Sequence, residues 1–291
     1  MIHLRGIFKK QINHSLGGNI AVFLVVAMIG AFLVFPLIYV ANAAFKPIDE
    51  IQTFPPSLLV KKFTWDNFIQ LGQMTSTFWA PITRYAFNSI FVSIVTTGCH
   101  VFFGSMAAYP LAKHQFVGKK VMNSVVRMAL LFTPGITAIP LYIVMSTLGL
   151  INTYAAMILP SIASTLGLYL MQNFMVNFPD SVLEAARIDG ANEFRVFARV
   201  VMPNMRPAVM TMMIFSFISI WNSSGGVAAT GFIYEERMKT LTSAMGMITS
   251  AGMARSGVAA AVLLLLMLPP ILLFLFAQKM VIETMTTSGM K

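Results

Sequence analysis

Long uncharged runs, separated by short polar stretches, set the pattern of this chain. The first extends from Gly18 to Asn42 without a single charge. A helix needs about 20 such residues to cross a bilayer, where lipid offers its backbone no hydrogen bonds. Similar runs recur at 85–112, 121–148, 154–176, 207–227 and 257–280. The pattern predicts an all-α membrane protein of six transmembrane helices. Pro134, Gly135 and Pro140 interrupt the third run, so a kinked helix is expected there. No small-residue cleavage site follows the first run convincingly, so it reads as a retained span rather than a signal peptide.

Composition agrees. The chain is 57% hydrophobic and 10% charged, with a mean hydropathy of +0.77, whereas a soluble domain carries about 25% charged residues. The net charge of +10 comes from basic residues in short loops, not along one face. That distribution argues for membrane topology and against nucleic-acid binding. Of the 20 Lys and Arg, 13 fall in the N-terminal tail, the second and fourth loops and the C-terminal tail. The more basic side is the cytoplasmic one, which puts both termini inside. Residues 1–17 are then a cytoplasmic tail, 18–291 one transmembrane domain, and 177–206 a cytoplasmic loop. Two long loops, 43–84 and 228–256, face outward. The single Cys99 excludes an intrachain disulfide and any cysteine-based metal cluster. The four histidines show no metal-ligand spacing. His100 alone lies in an apolar run, where a neutral helix-contact role is expected over an ionic one. Most of the 23 methionines read as packing.

The 177–206 loop concentrates charge. Four acids and four arginines lie between Asp180 and Arg206. Ser181 and Glu184 have capping-box spacing, and Gly190 suits the left-handed position past a helix end. Asn192 suits the cap of a second helix. Phe194, Phe197, Ala198 and Val201 would share one apolar face, and Pro203 would stop that helix. Ala185 and Ala186 leave the first helix thin, so another protein could approach its backbone while Glu184 offers a carboxylate. The same residues also fit a plainer reading: Glu184 as cap, Gly190 as terminator, arginines as anchors to lipid headgroups. Pattern alone leaves both open.

The run EAARIDGANEFRVFARVVMP resembles the E-A-A, G, I-x-L-P signature of the membrane subunits of bacterial ABC importers. Val200 and Met202 stand where that family has Ile and Leu. NSIFVSIVTT, AAYPLAKHQFVGKK, the Pro134–Leu150 stretch, LYLMQNFMVNFPDSVLEAARIDGA, AAFKPIDEI and FTWDNF are similar to the carbohydrate branch, relatives of maltose-type permeases. The chain departs from that pattern at SSGGVAAT after Trp221-Asn222 and at its ETMTTSGMK end.

The resemblance implies a permease subunit of a sugar or oligosaccharide importer in the bacterial inner membrane. Glu184, Ala185, Ala186, Asp189, Gly190, Ala191 and Pro203 would couple it to the ATPase. Implied partners are a second permease subunit, in an expected heterodimer, two ATPase subunits, a solute-binding protein and membrane lipid. Tyr234, Glu235 and Glu236, in the outer loop before the last span, would touch the binding protein. No cofactor is expected in this chain; ATP and Mg would belong to the ATPase. Indeed Lys113 stands where the first glycine of a P-loop ending at Gly118-Lys119 would have to be. No metal site is expected, and the chain is not expected to be an enzyme. Trp221, Asn222, Phe217 and Tyr169 are candidates for a sugar path, with helix packing or the interfacial aromatic belt as the alternative for each. An ion-driven transporter or channel would want buried ionisable groups, of which the runs hold few besides His100. A non-transporting scaffold also fits the hydropathy pattern.

Overall fold

The computed structural model describes residues 16–55, 57–77, 80–132, 134–223, 231–249, 252 and 255–288. In chain order its helices are α1 (Leu16–Ala44), α2 (Ile48–Ile51), α3 (Asp66–Thr77), α4 (Ile82–Lys113), α5 (Lys119–Ala129) and α6 (Pro134–Thr147). There follow α7 (Tyr154–Ile162), α8 (Thr165–Val176), α9 (Asp180–Ile188), α10 (Glu193–Asn204), α11 (Arg206–Ser223), α12 (Leu241–Thr249) and α13 (Ser256–Ser288). Among the described residues, four segments are long and apolar enough to cross a membrane: Gly17–Ala44, Ile82–Lys113, Tyr154–Val176 and Ser256–Gln278. A fifth arises only if α10 and α11, bent by 79°, count as one. The third expected span is not a single kinked helix. It divides into α5 and α6, with the described residues Leu130, Leu131 and Phe132 outside both helices. The fifth expected span is helical to Ser223; its last residues, 224–227, lie outside the described ones.

α4 is the hub. It packs against α7, α8, α11 and α12. Its buried face is rich in small polar residues, with Asn88, Ser89, Ser93, Thr96, Thr97 and Ser105 enclosed beside larger ones such as Tyr85 and Tyr109. Lipid supplies no hydrophobic drive between helices, so close approach through small side chains must do the work. α1 instead lies against α13 alone among the major pairings and turns most of its apolar surface outward.

Three places where the helical hydrogen-bond ladder fails are repaired by a side chain from another helix. The first is the break between α7 and α8 at Ala163 and Ser164. The Ile162 carbonyl freed there meets Nδ1 of His100 at 2.6 Å. Gly167 makes the room: a Cβ at that position would sit 1.9 Å from His100 Nε2. His100 thus makes the helix-to-helix contact that its sequence context suggests. The second is in α13, where Pro270 has no N–H to offer the Leu266 carbonyl four residues earlier. The Trp221 indole of α11 donates to that carbonyl at 2.9 Å. The third is the end of α1. Asn67 of α3 donates to the carbonyls of Ala44 at 2.9 Å and Lys46 at 2.7 Å. Gly257 of α13 admits Asn67 there, since a Cβ would lie 2.2 Å from its Oδ1.

The second repair yields a double-mutant test. Trp221→Phe leaves the Leu266 carbonyl buried and unpaired, at a cost of about 1–3 kcal/mol. Pro270→Ala restores the missing N–H, so the double variant is expected to be less destabilised than the sum of the singles by about 1 kcal/mol. Thermal unfolding of the four proteins in one detergent measures this; strict additivity would refute the repair.

Candidate functional site

The 177–206 loop folds as two short helices around a glycine turn, as the spacing predicts, but its start differs. α9 begins at Asp180 behind Pro179, so Ser181 is already inside the helix and no side-chain capping bond forms. Proline, with its fixed φ, starts the helix two residues before a capping box would. Lys113, at the end of α4, fixes the position of this start without capping its N–H groups. Its ammonium donates to the carbonyls of Val176 at 3.2 Å and Phe178 at 2.6 Å and pairs with Asp180 Oδ1 at 2.7 Å. One cation thus joins the end of α8 to the start of α9.

The turn after α9 is a Schellman motif. Ala191 N–H donates to Ala186 O at 3.1 Å and Gly190 N–H to Arg187 O at 3.0 Å. Gly190 sits at φ +79°, where a Cβ would be strained although the space around it is open. Asn192 caps α10 as expected, accepting from Arg195 N–H at 2.8 Å. Inside α10 only half of the expected face appears, Phe197 and Val201. Val196–Val201 form a π turn, bonded five residues apart rather than four. Val196, Phe197 and Val201 are buried while Phe194 and Ala198 are exposed, because the wider turn aligns residues five apart. Pro203 does not stop the helix. It sits in the first turn of the α segment after the π turn, where its missing N–H costs little, and Met205 ends the run.

A polar knot ties this loop to α4. Arg187 Nε donates to Glu193 Oε1 at 2.8 Å, and Tyr109 Oη donates to Glu193 Oε2 at 3.0 Å. His114 Nε2 lies 3.3 Å from the same oxygen. The Arg187 bond holds the Glu193 carboxyl below its usual range against partial desolvation; the Tyr109 bond and the charges of Arg187 and His114 add to it. The Glu193 bond in turn raises Arg187. Beneath the knot, Leu183, Val196, Phe197 and Val201 pack on Tyr109, Met171, Met175 and Met212.

What remains outward is the surface predicted for a partner. Glu184, Ala185, Asp189 and Gly190 are exposed, Ala186 and Ala191 half-buried, and Pro203 exposed. Ile188 stands 86% exposed and Phe194 66%, two large apolar side chains that the EAA pattern did not single out.

The outer-loop candidates gather at the opposite end of α4. Asn88 Nδ2 donates to the carbonyls of Arg237 and Lys239, both at 2.9 Å, and Leu241 N–H donates to Ser89 Oγ at 2.8 Å. Asn152, at φ +58°, accepts from the N–H groups of Tyr234 at 2.6 Å and Glu235 at 3.1 Å. Tyr234 and Glu235 are exposed, while Glu236 is paired with Lys239. Tyr234 Oη donates to Tyr142 Oη at 3.2 Å, and that bond raises its pKa. Asn152 and Asn88 were missed from the sequence; only the asparagine before Thr153-Tyr154 hinted at a left-handed turn. The sugar-path candidates are less united. Phe217 and Trp221 stack at 5.8 Å, and the Trp221 N–H is committed to Leu266. Among the described residues no hydrogen bond or ring contact brings Tyr169 or Asn222 to them.

The fold is thus that of a polytopic helical membrane protein with a charged helix–turn–helix at one end and a clamped loop at the other. Residues 100–286 match the family described as the binding-protein-dependent transport system inner membrane component, and the chain belongs to it. It is 29% identical to the arabinooligosaccharides transport system permease protein AraQ of Halalkalibacterium halodurans, over 91% of this chain and 94% of that one. It is 31% identical to the melibiose/raffinose/stachyose import permease protein MelC of Bacillus subtilis, over 70% of this chain and 76% of the other. Its fold resembles a crystal structure of a bacterial ABC transporter that imports the acidic polysaccharide alginate. The TM-score is 0.75 at 21% identity, covering 91% of this chain and 98% of that one.

Two outcomes are expected from the loop. Gly190→Ala should cost about 1–2 kcal/mol of stability, while Gly190→Asn, which tolerates the left-handed region, should cost less; chemical denaturation in detergent ranks them. The Glu193 pairing is formed above the ordinary carboxylate pKa and is lost as pH falls through its depressed value. Protease protection of 187–195 should hold at neutral pH and fall only in acid below the ordinary carboxylate range, with Glu193→Gln flat across that window.

Proposed function

We propose that this chain is one of two membrane subunits of an ATP-driven carbohydrate importer, and that α9 and its glycine turn are its contact with a separate ATPase. The single observation that carries the coupling role is the exposed strip of Glu184, Ala185 and Ile188 on a helix whose both ends are fixed. Lys113 holds one end to α4 and α8; the Glu193 knot holds the other. A load applied to such a helix passes into the spans rather than bending the loop. The relatives named above are permease proteins for arabinooligosaccharide transport and for melibiose/raffinose/stachyose import, and they support a saccharide substrate for this chain.

In this reading both termini and α9 face the cytoplasm. Six crossings are made by α1, α4, α6, α7 with α8, α11 and α13. A second permease subunit completes the path. Two ATPase subunits bind ATP and Mg, and a solute-binding protein docks on the clamped loop through Tyr234, Glu235 and Glu236. ATPase closure and reopening shift the pair of permeases between inward and outward openings, which requires contacts that differ in energy between the two states. An ion-driven alternative would draw on a path of buried ionisable groups, and α4 offers only His100, whose Nδ1 meets the Ile162 carbonyl.

The test is the reconstituted complex. Binding protein loaded with the right oligosaccharide is expected to stimulate ATP turnover. Gly190→Leu and Glu184→Lys should insert normally yet hydrolyse ATP without uptake. Normal uptake by both variants would remove α9 from the mechanism. Failure of every sugar-loaded binding protein to stimulate turnover would remove the saccharide assignment.

A further inference from the structure

Helix α5 has no part in the function argued above, and its side chains are sorted with unusual completeness. At the α-helical step, Lys119, Lys120, Asn123, Ser124 and Arg127 fall within one arc of about 140°. Val121, Met122, Val125, Val126, Met128 and Ala129 occupy the rest. The protein leaves most of the apolar arc uncovered: Val121 is 66% exposed, Val125 60% and Met128 61%. The polar arc is split in use. Lys119 donates to the carbonyls of His114 at 2.8 Å and Ala112 at 3.4 Å, and Asn123 Oδ1 accepts from Gln172 of α8 at 3.0 Å. These bonds hold one edge of α5 against the ends of α4 and α8. Lys120 and Arg127 form the opposite edge; Arg127 bonds only Ser124, at 3.3 Å, and neither has an acidic partner among the described residues.

No carboxylate occurs between Asp66 and Asp180, so this part of the chain offers the two cations no internal counter-charge. An apolar face that must leave water, flanked by unpaired cations, is complementary to a bilayer surface carrying negative headgroups. The uncharged stretch from Leu130 to Leu150, 21 residues long, can make the third crossing without α5.

We propose that α5 lies in the plane of the membrane, on the leaflet nearest the α9 loop, and binds anionic phospholipid there through Lys120 and Arg127. Val121, Val125 and Met128 sink among the acyl chains. The same helix is bonded to α4 and α8 beside Lys113, so the lipid surface braces the end of α4 on which the α9 loop rests. The proposal needs neither the saccharide assignment nor the sidedness.

The experiment is hydrogen–deuterium exchange on the full-length chain, alone, in nanodiscs of phosphatidylcholine and in nanodiscs doped with phosphatidylglycerol. Amides of residues 119–129 are expected to exchange about tenfold more slowly with the anionic lipid. High salt should erase the difference, as should Lys120→Gln with Arg127→Gln. Val125→Asp should raise exchange in both bilayers. Unchanged exchange in α4 and α8 certifies that each variant is folded. Equal protection in the two bilayers would overturn the proposal. So would a difference that survives loss of both cations, or protection that appears only when a second permease or an ATPase subunit is added.

Discussion

Inside a bilayer every peptide group needs a partner from the protein itself, and the rest of this structure depends on how that demand is met. Straight helices meet it alone. This chain does not use straight helices throughout: it breaks one between Ile162 and Thr165 and places Pro269 and Pro270 in another. Each irregularity exposes a carbonyl, and His100 and Trp221 each serve one of them. The side chains that look most like chemistry in the sequence are thus spent on backbone repair. Their neighbours are chosen accordingly, with Gly167 opposite His100 and Gly257 opposite Asn67.

α4 gives the repairs their common frame. Near its start, Asn88 and Ser89 hold the outer loop by its backbone. Near its end, Tyr109 and Lys113 hold the α9 loop by a carboxylate, two carbonyls and Asp180. The α9 loop and the outer loop are thus held at opposite ends of one helix.

Much of this was legible beforehand. The long runs gave α1, α4, α11 and α13 because lipid-spanning helices need unbroken apolar length. Gly190 and Asn192 were legible because their roles are local: one φ and one capping bond. The failures were of another kind. The π turn in α10 shifted the buried set from Phe194 and Ala198 to Val196, because a ladder of five-residue steps leaves no mark in a count of threes and fours. Pro179 pre-empted the capping box. Lys113, Glu193 and Asn152 escaped notice because their partners are distant in sequence and nothing in a single element points to them. The division of the third span into α5 and α6 had its signal in the segregated charges of 119–129, which the hydropathy of the whole run masked.

The 32 residues of α4 make a rod of about 48 Å. Its single proline, Pro110, frees only the Met106 carbonyl, so the shaft between Asn88 and Ser105 carries no proline-broken bond. Moved as one body, such a rod would pivot rather than stretch. A pivot of about 5° would sweep one tip by roughly 4 Å relative to the other, a stroke comparable to a helical turn, delivered without any wave of side-chain rearrangement travelling between the two faces.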